Sequence, residues 1–106
     1  MIDGEIYCLE RRDGHNALFI YREIGRTDYI THYACMLYNG EVRVLGYGAT
    51  GNLGNEFDNT RNATEDEKAK LIAYLCDAGF WWNKANKKMI KKDSSYEEYY
   101  YFSDSV

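Results

Sequence analysis

Short apolar stretches bounded by Gly, Asn and Asp fill the first half of the chain, and a single helical period follows them. Asp3 to Glu10 predicts a strand entered through a glycine turn, and Asp13-Gly14 marks the connection to a second strand over Ala17 to Ile24. Tyr29 to Tyr38 predicts a third, with Ile30, His32, Ala34, Met36 and Tyr38 on one face. Asn39-Gly40 is a strong hairpin signal, with positive φ expected at both residues, and Glu41 to Tyr47 alternates as a fourth strand. Gly48 to Asn62 has no period; Leu53 and Phe57 are its expected anchors, with a brief strand near Glu56-Phe57. Thr64 and Glu67 then spell a capping box, with Glu65 and Asp66 suited to the positive end of the helix dipole. Leu71, Ile72, Leu75 and Cys76 recur as one helical face, and Gly79 is the expected left-handed stop.

Phe80-Trp81-Trp82-Asn83, a polar turn over Lys84 to Lys87, and Lys88-Met89-Ile90-Lys91-Lys92 predict a closing hairpin. The fold class expected is α+β: a small antiparallel β-barrel or bent sheet of four to six strands, one helix at about 65–78, and the C-terminal hairpin. Residues 1–92 read as a single domain and 93–106 as an acidic aromatic tail. Phe19, Leu71, Leu75 and either Trp81 or Trp82 are the expected core between sheet and helix, since adjacent tryptophans on a strand face opposite ways.

Composition sharpens this picture in four places. At 106 residues the chain has room for one ordinary domain, and 28% charge is that of a water-exposed globule. No apolar run approaches the ~20 residues that cross a bilayer, and no basic-then-apolar leader opens the chain, so no membrane partner and a cytoplasmic location are expected. Cys8, Cys35 and Cys76 each sit in an apolar stretch and read as buried reduced thiols. Residues 1–92 carry 13 basic and 13 acidic side chains, so Asp93, Glu97, Glu98 and Asp104 supply the whole net charge of −4. Lys84, Lys87, Lys88, Lys91 and Lys92 precede that tail as an edge that either shields the hairpin or takes phosphates.

Several strings together resemble a family of short proteins and C-terminal modules from gut bacteria of the Bacteroides group and their phages. They are Asp3-Gly4-Glu5-Ile6, Leu18 to Ile24, Tyr33-Ala34-Cys35, Ala63-Thr64-Glu65-Asp66-Glu67, Ala78-Gly79-Phe80, Trp82-Asn83 and Lys87 to Lys92. The likeness spans about 3–92. It departs at Asn62, where the family commonly has proline, and it has no counterpart for the tail. What it implies is provenance in a phage or mobile element and a small barrel with a helix, not a chemistry.

Candidate chemistry is sparse. Gly46-Tyr47-Gly48-Ala49-Thr50-Gly51 spells G-x-G-x-x-G, but Asn52-Leu53-Gly54-Asn55 follows instead of a helix that would aim N–H groups at a pyrophosphate. A glycine loop touching phosphate, or a plain connection, are the readings left. In a regular strand His32 and Cys35 point to opposite faces, which argues against zinc and against a Cys–His pair. No carboxylate pair has surroundings that would raise one pKa. No catalytic residue, metal or cofactor is therefore expected, and the protein reads as non-enzymatic, with a small hydrolase the residual alternative.

Eleven tyrosines and two tryptophans exceed what such a core needs. Tyr21, Tyr33, Tyr47, Trp81 and Trp82 are candidate stacking rings, Arg22, Arg43 and Lys88 candidate phosphate partners, and Gly48 and Gly51 candidate backbone donors. The expected function is sequestration of a nucleotide-derived signalling molecule, counteracting host defence, by a homo-oligomer whose copies build the pocket. The alternatives are a protein-binding inhibitor using Tyr96, Glu97, Glu98, Tyr99 and Tyr100 against a host protein, and a weak nucleic-acid binder using the lysine edge.

Overall fold

The computed structural model describes residues 1–25 and 28–92. Among them, β1 (Ile6–Leu9), β2 (Ala17–Tyr21), β3 (His32–Met36), β4 (Val42–Val44) and β5 (Thr60–Asn62) form one antiparallel sheet in the order β4-β3-β2-β1-β5. Helix α1 (Glu65–Asp77) and a separate hairpin, β6 (Phe80–Asn83) with β7 (Lys88–Lys91), complete the α+β fold. β4 and β5 are the two ends of that order, so the sheet is bent and unclosed and not a barrel. The strands are shorter than their apolar stretches predict, because Gly4, the 37–41 turn and the 45–49 turn draw off the ends.

Both faces of the sheet are buried. Ile6, Cys8, Leu18, Ile20, Ala34, Met36 and Val44 face Leu71 and Leu75 of the helix and Trp82 of the hairpin. Tyr7, Leu9, Ala17, Phe19 and Cys35 form a second layer on the other face, covered by Ile30 and Leu53. Phe19 thus belongs to the layer away from the helix, contrary to the sequence expectation. The signal lay in Ile6-Tyr7-Cys8-Leu9 and Ala17-Leu18-Phe19-Ile20, continuous apolar runs of the kind that strands buried on both sides require.

The irregular 46–59 segment is the cover for that second layer. Ile30 N–H donates to Gly54 O at 2.7 Å, Leu53 N–H to Ile30 O at 2.9 Å, and His32 N–H to Gly51 O at 2.9 Å. Leu53 anchors it as expected, but Phe57 stays 38% exposed in a one-turn 3-10 helix, Phe57–Asn59. The strand expected at Glu56-Phe57 lies later, at β5, whose pairing with β1 only the fold reveals.

Two turns differ from their sequence reading for local reasons. At Asn39-Gly40 only Gly40 has positive φ (88°). Leu37 N–H donates to Glu41 O and Gly40 N–H to Leu37 O, so three residues span the turn and one left-handed glycine suffices. Between Ile20 and Tyr21 the β2–β3 register slips by one, pairing Ile20 with Ala34 but Tyr21 with His32. Partners across strands share a face, so this bulge places His32 on the face of Tyr21, Phe19 and Cys35. Ile30 follows to the same side, and the expectations of one Ile30–Ala34–Met36 face and of His32 opposite Cys35 are both corrected.

Helix α1 begins as predicted. Thr64 Oγ1 accepts from Glu67 N–H at 3.2 Å and Glu67 Oε1 accepts from Thr64 N–H at 2.9 Å. The same carboxylate takes a two-pronged bond from Arg61 of β5 (2.7 and 3.0 Å), so the box also ties the helix to the sheet edge. Leu71 and Leu75 are buried, whereas Ile72 and Cys76 of the predicted stripe are exposed; the apolar contact is narrower than the sequence suggested.

Candidate ligand-binding face

The C-terminal hairpin is held by three kinds of contact and still leaves one face bare. Its register pairs Phe80 with Lys91, Trp81 with Ile90, Trp82 with Met89 and Asn83 with Lys88. Alternation then puts Phe80, Trp82, Met89 and Lys91 on one side and Trp81, Ile90, Asn83 and Lys88 on the other. Phe80, Trp82 and Met89 belong to the helix-side core, with Trp82 8% exposed and its ring centroid 4.9 Å from that of Tyr33. Trp81 is 63% exposed and Ile90 40%. The outer face is therefore an aromatic–aliphatic pair flanked by a polar pair, Asn83 and Lys88.

The electrostatics of this face follow from which lysines already have partners. Phe80 to Lys92 contains five lysines and neither Asp nor Glu. Lys84 Nζ lies 3.0 Å from Glu5 and Lys87 Nζ 3.3 Å from Asp3, so the N-terminal segment neutralises the turn end. Burial works against charge on Asp3, yet the Glu23 N–H, the Tyr33 hydroxyl and Lys87 outweigh it and hold the carboxyl below its ordinary range. Gly4 follows because its φ of +87° is a backbone conformation that favours glycine, and there its N–H donates to Tyr21 O at 2.8 Å. Lys91 Nζ sits 5.4 Å over the Tyr47 ring, and Lys92 Nζ lies 2.8 Å from Cys76 Sγ. Lys88, of the candidate residues, forms no ion pair among the described residues.

The remaining candidates are dispersed. Tyr47 stands edge-on to Phe80 with centroids 5.0 Å apart, capping the inner side of the hairpin at the end away from its turn. Gly48 is exposed beside it, but the N–H groups of Gly46 and Tyr47 bond Ala49 O and Val44 O within the turn. Gly51 is buried, its carbonyl engaged by His32, so it is part of the packing and not of an open phosphate cradle. Tyr21 is half-buried against Tyr7 in the second layer, and Arg43 pairs with Glu41 at 3.0 Å on that same side, across the sheet from the hairpin. Arg22 is joined through its backbone to Thr31. Tyr33 and Trp82 are core and clamp residues, which removes both as free rings. Tyr96, Glu97, Glu98, Tyr99 and Tyr100 lie outside the described residues. Of the predicted set, the structure brings Trp81 and Lys88 together on one face and leaves Tyr47 near its border; Ile90, which completes the face, was invisible without the register.

Burial holds His32 and two of the three thiols in their neutral forms. Burial pushes the Cys35 thiol up to about 11 and, with help from Arg43, pulls His32 down to about 4, so both stand neutral on the same face of β3. Burial likewise raises Cys8. Cys76 is exposed, contrary to the expectation of three buried thiols. Among the described residues no group of three His, Cys, Asp or Glu side chains is arranged to hold a metal, and no helix is long and apolar enough to cross a membrane. Compared with protein-family models, curated proteins and solved structures, the chain matches none.

Proposed function

We propose that the protein is a non-catalytic binding protein for a nucleotide-derived ligand, and that the outer face of the β6–β7 hairpin receives it. The observation that supports this reading is Trp81: an indole left 63% exposed on a strand whose neighbours are otherwise packed, in a segment free of carboxylates. Every base has a π-face that stacks on such a ring, and a nearby ammonium takes the phosphate. The face is open, so enclosure of a small ligand calls for a second copy of the chain, and the working assembly is a homo-oligomer. The resemblance to phage and mobile-element modules suggests the use: holding a host signalling nucleotide away from its receptor.

A panel of cyclic dinucleotides, ADP-ribose derivatives and nucleoside monophosphates, read by thermal shift, tests this. A ligand at 100 times its Kd adds about 2.7 kcal/mol, or upwards of ~10 °C in a domain of this size. The shift should vanish in Trp81→Ala, and the nucleotide should return intact after the protein is denatured. No shift across the panel removes the reading, and a cleaved product replaces it with an enzyme.

A further inference from the structure

Resting on that reading, we infer that each chain takes one base and one phosphate and does not track a polyanion. The register carries this. Trp81 faces Ile90 directly, and Lys88 is the diagonal neighbour two residues along β7. Such neighbours stand ~7–8 Å apart, about the step from a base to the phosphate of its own nucleotide. The other lysines that a longer strand would need are engaged elsewhere. Lys84 and Lys87 are held by Glu5 and Asp3, Lys91 is on the inner side over Tyr47, and Lys92, the other diagonal neighbour of Trp81, is drawn to Cys76 Sγ of the helix at 2.8 Å. Asn83, opposite Lys88, has its Oδ1 taken by Asn86 N–H in the turn and contributes no charge. The five-lysine string therefore presents a single cation to a ligand seated on Trp81, although its sequence reads as a basic stripe.

The salt dependence of binding measures that number. With (dT)8 as probe and tryptophan quenching as signal, one phosphate contact gives a slope of log K against log salt of about −0.7, and five would give about −3.5. We expect the shallow slope, its loss in Lys88→Gln, and affinity about three- to five-fold weaker in that variant. Thymidine monophosphate should bind better than thymidine, while the diphosphate gains nothing more. A slope of −2 or steeper, or one unchanged by Lys88→Gln, overturns the one-phosphate inference while the hairpin reading stands. Absence of quenching by every probe, or quenching that survives Trp81→Leu, overturns the reading itself. Both substitutions fall on exposed side chains, and the thermal melt of each variant verifies that it is folded.

Discussion

Acidification should weaken this fold well above the range where its carboxylates protonate, and His32 is the reason. The side chain is 2% exposed, its Nδ1 has no hydrogen-bond partner, and Arg43 faces it from the neighbouring strand. Burial and that positive neighbour lower its pKa from 6.5 to about 4. A group whose folded pKa is depressed binds its proton more readily when unfolded, so stability is intact above pH 6.5 and falls as the pH drops toward 4. At 1.36 kcal/mol per unit, the two units from pH 6.5 to 4.5 cost about 2.7 kcal/mol, a large part of the stability of a small domain. Glu67 and Asp3 act only lower. Glu67, drawn down to about 2 chiefly by its bond with Arg61, gives stability that is lost below 4.5. Urea unfolding at pH 7.5, 6.5, 5.5 and 4.5 measures the effect, with a midpoint fall of roughly 2 M if m is near 1.3 kcal/mol/M. His32→Leu, which keeps the burial and cannot titrate, should flatten the curve over that window. Equal losses in the parent and in His32→Leu would refute the assignment.

Other outcomes follow from packing. Thr64→Ala should lower stability by ~1 kcal/mol in urea unfolding by removing the acceptor for Glu67 N–H, and Glu67→Ala by more, because Thr64 N–H loses its acceptor and Arg61 its two-pronged partner, keeping only Glu10. Trp82→Ala should cost ~3–5 kcal/mol as a core truncation, whereas Trp81→Ala should stay within ~1 kcal/mol of the parent, its cross-strand contact with Ile90 being the main loss. In folded protein a thiol reagent should label one cysteine, Cys76, with Cys8 and Cys35 reacting only after denaturant is added; peptide mapping checks this.

How much of this was legible in the residue order depends on how local each cause is. The capping box, the Gly79 stop and the β6–β7 turn are written within a few residues, and they stand where the pattern placed them. The two-sided sheet was half-legible: unbroken apolar runs in β1 and β2 encode it, but a bulge between Ile20 and Tyr21 inverted the phase of Ile30 and His32, and no single residue announces it. The β1–β5 pairing and the Asp3–Lys87 and Glu5–Lys84 links join distant residues, and spacing along the chain is silent about them. The site suffered accordingly. Lysines that look free in sequence are answered by acids some eighty positions earlier, and Tyr33 and Trp82 are taken into one another's packing. Trp81 was separable from Trp82 by strand alternation alone, though which of them faced outward needed the helix in place.

The central claim is that Trp81 is an exposed surface for stacking while Trp82 is core. Two indole N–H signals in a proton–nitrogen NMR spectrum report on them separately, assigned through Trp81→Phe. Titration with a nucleoside monophosphate should move the Trp81 signal progressively and leave the Trp82 signal in place. Movement of both indoles together, or of neither at millimolar nucleotide, would contradict the account.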